Sequence, residues 1–365
     1  MHERRPWIWA CRIWAFRVLV ASVASLALAL TSCSGGSSGG RVATGSSDRD
    51  GTKACAVSAK AVPACGVLWG VAARPPTVAR VQAVQKAVGR PFDFVYRYHD
   101  VNDVVPDAEE RQLVRQGKLL HIAIAARHFR AATRSSTAWA DVARGKFDKT
   151  LKAQARGIAS LKKPVFVTFE QEANQRAKLG VVGSAADFKA AWRHLHDLYR
   201  SAGATNAVWT WVMTGSARNL NRAASLWPGN DVVDWISWNV YNQSGCHGGT
   251  NDMKKWKSFA EELRPFYDFV KRRGPSIGMD SSKPMMISET GSVRYAEAPE
   301  ISADWYAAIP TTLRRYPQIK AVGLWDSVSD TCNYVFDTDP HTVDGVRKAG
   351  LDPHVDTHRS LSSTS

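Results

Sequence analysis

Short apolar segments alternate with amphipathic helical patterns between about residue 66 and residue 326. Eight of these segments have the length and the β-branched or aromatic content of buried strands. They are Gly66–Ala73, Phe92–His99, Leu119–Ala125, Val165–Glu172, Ala207–Val212, Asp234–Tyr241, Pro284–Glu289 and Ala321–Asp326. Eight strands that alternate with helices predict an α/β protein with a single (β/α)₈ TIM barrel, and a doubly wound open sheet is the alternative.

Helical patterns lie between the predicted strands. The clearest are Pro76–Gly89, Asp148–Leu161, Ser184–Gly203 and Asn251–Gly274. Ser184 and Asp187 form the pattern of a capping box at the start of the third helix, and Pro265 is expected to kink or split the fourth. No glycine-rich phosphate-binding turn follows any predicted strand, so we expect no nucleotide cofactor.

The amino-terminal residues have the pattern of an export signal. Basic residues at positions 4, 5, 12 and 17 precede Val18–Leu30, an apolar segment too short to span a bilayer comfortably. The segment Leu30–Cys33 resembles a bacterial lipobox, which implies diacylation of Cys33 and anchoring on the outer face of the cell membrane; a plain secretory signal is the alternative. We expect a signal peptide at 1–32, a Gly/Ser-rich flexible linker at 33–53, one folded domain at 54–356 and a disordered tail at 357–365.

Charge and composition narrow the set of partners. The formal net charge of +15 favours anionic surroundings such as cell-wall polymers or lipid head groups. The chain has no long Lys/Arg run and no recognition motif, so we expect no nucleic-acid partner. Fourteen Trp residues suit both a large core and flat stacking surfaces for sugars. We expect a monomer.

Cysteine usage fits an oxidising compartment. Beyond the signal and Cys33, four cysteines remain, which allow three disulfide pairings. We favour Cys55–Cys65, which are close in sequence, and Cys246–Cys332, which follow the sixth and eighth predicted strands and would brace one rim of a barrel. Metal binding is the alternative, but the chain has no CxxC motif and no paired His spacing, so we expect no metal.

Two predicted strands deliver carboxylates to their carboxyl ends. The seventh strand ends at Glu289, and the fourth ends at Glu170 and Glu172. An acid is costly to desolvate at the end of a buried strand, and this rim of a barrel carries catalytic residues. Strand alternation places Glu170 and Glu172 on the same side, so either could pair with Glu289. Glycoside hydrolysis needs such a pair of carboxyl groups.

The motifs at these strand ends resemble those of glycoside hydrolase family 26 (GH26) of clan A, which comprises β-mannanases, some β-1,3-xylanases and mixed-linkage glucanases. Residues 171–174, QEAN, are similar to the family's His-Glu-Met-Asn motif, and residues 288–291, SETG, are similar to its Ser-Glu-aromatic/small-Gly motif. Residues 227–235 resemble its PGDxxVDW signature. The resemblance covers about residues 66–352. It implies that Glu172 is the general acid/base and Glu289 the nucleophile, with no cofactor.

The resemblance also implies sugar-binding residues. Tyr241 would hydrogen-bond the nucleophile, and Trp325 would stack under the sugar at the cleavage point. Gln171 and Asn174 of the QEAN motif would contact the substrate. His99, which closes the second predicted strand, is a further candidate for binding a sugar hydroxyl, and a structural role is its alternative.

This chain departs from the family pattern at several positions. Gln171 replaces the His before the acid/base; its amide can donate to a sugar hydroxyl but cannot tune the pKa of Glu172 as a His would. The aromatic cluster that follows the acid/base in mannanases is absent, and Asp326 stands where mannanases tend to have Arg. We expect a retaining glycosidase that cleaves β-mannan or a related β-glycan by double displacement. The alternatives are a non-catalytic glycan-binding lipoprotein and an enzyme that remodels the producer's own cell wall.

Overall fold

The computed structural model describes residues 55–126, 137–244, 246, 253–295, 297–329, 332–357 and 359–361. The predicted signal peptide and linker, with Cys33, lie outside these residues. The strands of the described part are β1 (Cys55–Val57), β2 (Leu68–Ala73), β3 (Phe94–Asp100), β4 (Leu119–Ala125), β5 (Val165–Phe169), β6 (Ala207–Thr214), β7 (Trp235–Asn242), β8 (Met285–Ser292), β9 (Ile319–Asp326), β10 (Val328–Ser329), β11 (Cys332–Asn333) and β12 (Arg359–Leu361).

Helices follow most of the barrel strands. They are α1 (Val78–Val88), α2 (Ala108–Arg115), α3 (Trp139–Ala143), α4 (Asp148–Ser160), α5 (Ala185–Ser201), α6 (Leu220–Ser225), α7 (Phe259–Asp268), α8 (Pro299–Ala307), α9 (Ile309–Leu313) and α10 (Pro340–Gly350). At the start of α5, Ser184 and Asp187 form the predicted capping box. Helix α7 continues through Pro265 and passes into a π-helical segment at Phe269–Arg273, so the proline does not split it. None of the helices in the described part has both the length and the apolar character of a membrane span.

Strands β2 to β9 form a closed parallel barrel, which confirms the (β/α)₈ prediction. Strand β9 pairs with β2 in parallel from Leu68 opposite Ala321 to Ala73 opposite Asp326, and this pairing rules out an open sheet. All eight predicted strands are present. The fourth, β5, ends at Phe169 rather than at Glu172, because the two glutamates that follow leave the extended conformation.

The barrel interior is filled by alternate residues of the strands. Leu68, Phe94, Phe166 and Trp235 pack together at the amino-terminal end of the strands. The Phe94 ring occupies the space beside Gly70, where an added Cβ would lie 2.3 Å from the ring. The opposite faces of the strands pack against the helices in the large outer core. The carboxyl ends of the strands are therefore the open side of the barrel.

The amino-terminal segment covers the other end of the barrel. Val57 and Ala61 join the inner apolar cluster, and the Trp235 indole N–H donates to the carbonyl of Lys60 at 2.8 Å. Strand β1 pairs in parallel with β12, Cys55 opposite Arg359. The prediction of a disordered tail at 357–365 is therefore wrong for residues 359–361, because the backbone of this segment has a strand partner near the start of the domain.

Both predicted disulfides are present. Cys55 is bonded to Cys65, and Cys246 is bonded to Cys332 with their Cα atoms 4.9 Å apart. The second bridge joins the segment after β7 to strand β11 after β9. Two disulfides fit a protein that folds in an oxidising compartment.

Candidate active site

A cavity of about 410 Å³ opens at the carboxyl ends of the barrel strands. It lies where catalytic residues of such barrels are found. Its walls come from the ends of seven barrel strands and the loops that follow them. The lining residues are Arg74, Tyr98, Gln171, Glu172, Gln175, Thr214, Tyr241, Gln243, Glu289, Trp325, Ser329, Cys332 and Tyr334.

A β-bulge in β8 directs Glu289 into this cavity. Ile287 pairs with Trp238 of β7, but the next pair joins Thr290 to Val240, so β8 contains one extra residue between these pairs. The same shift occurs against β9. Without it, alternation would place Glu289 on the outer face with Ile287. The bulge changes the direction of the side chain, as bulges near functional sites often do.

Glu289 accepts hydrogen bonds from three side chains. The hydroxyl groups of Tyr98 and Tyr241 donate to its two carboxylate oxygens, at 2.8 Å to Oε1 and 2.7 Å to Oε2. The side-chain NH₂ group of Gln171 donates to Oε1 at 3.4 Å. The Tyr96 hydroxyl donates to the side-chain oxygen of Gln171 at 3.0 Å, and this contact orients the amide with its NH₂ group towards Glu289. The carboxylate is thus held at both oxygens.

Glu172 lies on the same cavity, just beyond the end of β5. Its φ of +55° is in the left-handed region, which is costly for a residue with a side chain. Its backbone N–H donates to the carbonyl of Val212 at 2.8 Å, which ties this turn to β6. The carboxyl group accepts from the Gln175 amide at 2.5 Å and from the Asn239 amide at 3.2 Å.

The two carboxyl groups influence each other electrostatically. Burial raises the pKa of Glu289, and repulsion from Glu172 raises it further, while the hydrogen bonds from Tyr241 and Tyr98 lower it. Burial also raises the pKa of Glu172, against the charge of Lys178 and the hydrogen bond from Asn239. Such a pair keeps one proton over part of the pH range. The two phenol donors favour the negative charge on Glu289 and the proton on Glu172.

Solved structures of GH26 β-mannanases share this fold. The structure of a GH26 β-mannanase from Bacteroides ovatus matches with a TM-score of 0.58 at 14% identity, over 80% of this chain and 90% of that chain. A modular endo-β-1,4-mannanase from Cellulomonas fimi matches with a TM-score of 0.57 at 14% identity, over 79% of this chain and 71% of that chain. The chain has the fold of the GH26 β-mannanases.

Sequence comparison also gives a curated relative of this GH26-like chain. Endoglucanase H of Acetivibrio thermocellus is 23% identical over 287 residues, which make up 75% of this chain and 29% of that protein. The chain therefore spans less than a third of the length of this curated relative. No protein-family model matches the chain.

Glu170 does not share the cavity of the GH26-like barrel, so the expectation from strand alternation is wrong. Its φ of +50° interrupts the alternation one residue after β5 ends. The buried carboxylate accepts from the backbone N–H of Ala126 at 2.8 Å and from the Trp139 indole at 3.3 Å, and it pairs with Lys178 at 3.0 Å. Glu170 therefore connects the end of β5 to the segment after β4 and to helix α3. Glu172 is the acid that faces Glu289.

Two of the predicted sugar-binding residues lie away from the cavity. His99 is on the outer face of β3, where its Nε2 lies 2.6 Å from Glu110 and its Nδ1 lies 3.5 Å from Asp103. Asn174 is fully buried; its amide donates to the carbonyl of Thr214 at 3.1 Å and accepts from the Thr214 N–H at 2.9 Å. Both predictions are corrected, because these polar groups already have protein partners outside the cavity.

The other predicted residues line the cavity as expected. Gln171, Tyr241 and Trp325 all contribute to its walls, and Trp325 packs edge-on against Tyr98 with ring centres 5.8 Å apart. Asp326, by contrast, is buried on the outer side of β9 and pairs with Arg80. Its position after Trp325 in the sequence therefore does not make it a cavity residue.

Sequence reasoning missed Tyr98 and Arg74. The signal for Tyr98 was present in the alternation of β3, because Phe94 and Tyr96 face the barrel interior and Tyr98 is the next residue on that face. His99 drew attention as an ionisable residue at a strand end, although the same alternation turns it outward.

One group of potential metal ligands lies outside the cavity. His99, Asp107 and Glu110 have ligand atoms within 4.8 Å of one another. Arg97 already pairs with Asp107 at 3.0 Å and with Glu110 at 3.5 Å, and His99 contacts Glu110. These ion pairs neutralise the carboxylates without a metal ion, so the arrangement fits a structural network.

Proposed function

We propose that the chain is a retaining glycoside hydrolase that cleaves a β-linked polysaccharide, β-mannan or a related β-glycan, within the chain of sugars. The observation that carries the proposal is the convergence of Glu172 and Glu289 on one cavity, with Glu289 held by Tyr98 and Tyr241. The GH26 fold and the 23% identity to an endoglucanase support the same reaction class.

The proposed reaction has two steps. In the first, Glu172 gives its proton to the glycosidic oxygen while Glu289 forms a bond to the anomeric carbon, and the leaving sugar departs with that proton. In the second, Glu172 takes a proton from water, the water oxygen attacks the anomeric carbon, and Glu289 leaves as a carboxylate. Tyr98 and Tyr241 hold the charge on Glu289 before the first step and after the second. Trp325 provides the apolar surface for the sugar ring.

Hydrolysis of defined polymers tests this proposal. The full chain and its Glu289→Gln variant are incubated with β-mannan, β-1,3-xylan, mixed-linkage glucan and bacterial cell-wall polysaccharide, and new reducing ends are measured. We expect release by the parent only, since Gln has the shape of Glu but is not a nucleophile. Equal release by both proteins would contradict the role of Glu289. Binding without release by either would favour a non-catalytic glycan-binding protein.

We also propose that the protein is a monomer attached to the outer face of the cell membrane through lipidated Cys33. The lipobox-like segment Leu30–Cys33 and the two disulfides support export. Mass spectrometry of the mature amino-terminal peptide, from a bacterial host that lipidates proteins, tests the anchor. A diacylated Cys33 is expected in the parent, and its absence there would contradict the proposal. A Cys33→Ser variant is the control.

A further inference from the structure

The guanidinium group of Arg74 lies at the edge of the cavity. This residue follows β2, where Leu68, Gly70 and Ala72 face the barrel interior, so alternation brings the next such residue, Arg74, to the cavity wall. It is exposed to solvent. In the described part of the chain, no carboxylate lies within ion-pair distance of its guanidinium group, whereas Arg80, six residues later, pairs with Asp326 and Asp337.

Aromatic rings hold the Arg74 guanidinium in place. Its central carbon lies 5.0 Å from the ring centre of Tyr98 and 5.8 Å from the ring centre of Trp325. Contacts with aromatic faces fix the orientation of a guanidinium without using its N–H donors. The donors of Arg74 are therefore available to a ligand that lies against the same two rings.

The charge of Arg74 is not needed by the carboxyl pair. The neighbouring charges that act most on Glu289 are those of Glu172 and Lys178. Lys178 itself is paired with Glu170 outside the cavity. A neutral sugar would use the ring of Trp325 and the amides and hydroxyls of the lining, and would leave the Arg74 charge without a counterion. A carboxylate or phosphate matches the planar N–H donors of a guanidinium in a bidentate pair.

We propose that the glycan bound in this cavity carries an anionic group, a carboxylate or a phosphate ester, and that Arg74 binds this group. The inference rests on the proposed glycosidase function, whose site it shares. The anionic group lies on the sugar unit that packs against Trp325, near Tyr98. The net charge of +15 draws the same kind of polymer towards the whole protein surface.

Binding measured without hydrolysis tests the role of Arg74. The full chain with Glu289→Gln is titrated with neutral, carboxymethylated and phosphorylated forms of one β-mannan and one β-1,4-glucan. Arg74→Met retains an unbranched apolar side chain and removes the charge; Arg74→Lys keeps the charge and loses the bidentate geometry. Arg156→Met, on the exposed side of α4, removes the same charge away from the cavity and is the control.

We expect at least one anionic form to bind about ten-fold more tightly than its neutral form, as one charge-assisted pair can provide. Arg74→Met abolishes this preference, Arg74→Lys reduces it, and Arg156→Met keeps it. Comparison of the carboxymethylated and phosphorylated forms identifies the anionic group. Equal binding of neutral and anionic forms, no binding of either, or a preference that survives Arg74→Met would overturn the proposal.

The parent enzyme separates this inference from the proposed function. Release of reducing ends from neutral polymers, without an Arg74-dependent preference, would keep the glycosidase and remove the anionic substrate. Arg74-dependent binding of an anionic polymer that the parent does not cleave would support the site and contradict the glycosidase.

Discussion

The hydroxyl of Tyr98 donates to Glu289 Oε1 at 2.8 Å, although the two residues are 191 positions apart in the chain. The contact joins β3 to β8 across the mouth of the barrel. Tyr241 holds the other oxygen from β7. Two phenols on one buried carboxylate stabilise its negative charge and fix its direction, which is what a nucleophile in the proposed reaction requires.

Removal of these hydroxyl groups should change the pH dependence of activity. Tyr98→Phe and Tyr241→Phe each remove a donor to the ionised carboxylate, so the pKa of Glu289 rises. The acidic limb of the kcat/KM profile should therefore move to higher pH, and kcat/KM should fall about ten-fold per variant. Tyr267→Phe, on the outer helix α7, is the control. An unchanged acidic limb in both cavity variants would contradict the assignment of Glu289.

The same Glu→Gln substitution should lower stability at position 170 and activity at position 172. Glu170→Gln leaves Lys178 without its carboxylate partner and should lower the free energy of unfolding by about 1–3 kcal/mol, with kcat at the pH optimum little changed. Glu172→Gln should retain the melting temperature and lose about 10²- to 10⁴-fold in kcat on polymers, because the proton donor is absent. Thermal melts and kinetics on both variants check this. The reverse pattern would exchange the roles of the two acids.

Protonation of the buried His99 should make the stability of the protein depend on pH. Burial lowers its pKa, but hydrogen bonds and charge from Asp103 and Glu110 raise it to about 9. The stabilisation is complete below the unfolded value of 6.5 and is lost as the pH rises towards 9. The parent should exceed His99→Gln in melting temperature at pH 6, and the difference should shrink by pH 9.5. A difference that does not change with pH would contradict the ion-pair network.

The bridge between Cys246 and Cys332 should affect both stability and substrate binding. Cys332 and its neighbour Tyr334 line the cavity, so the double Ser variant should raise KM and lower the free energy of unfolding by about 2–4 kcal/mol. The matched double variant of Cys55 and Cys65, at the closed end of the barrel, should lower stability without changing KM. Equal KM values in the two variants would show that the rim does not depend on its bridge.

Periodicity was sufficient to predict the barrel, because each strand is a short apolar segment and amphipathic helical patterns lie between the strands. It was also sufficient to predict that Glu289 and Glu172 lie at the open end of the barrel. It failed for Glu170, since two left-handed residues after β5 interrupt the alternation, and no residue type in the sequence signals a positive φ there. The sequence pattern also does not predict the bulge that turns Glu289 inward, because the bulge depends on pairing with two neighbouring strands.

Side-chain partners could not be predicted from local sequence. Asn174 belongs to a motif next to the acid/base, yet its amide is used to hold the backbone of Thr214. Arg74 lies in a stretch without any motif and reaches the cavity only because β2 closes the barrel beside β9 and its Trp325. Such contacts between distant segments decide which polar groups remain available to a substrate.

The proposed double displacement is tested by identification of the residue that bonds to the sugar. The full chain is incubated with activated 2-deoxy-2-fluoro β-glycosides of the mannose and glucose series, and the labelled peptide is located by mass spectrometry, with Glu289→Gln as the control. We expect a glycosyl adduct on Glu289 in the parent and no adduct in the variant. An adduct on Glu172 or Glu170, or one that forms equally in the variant, would contradict it.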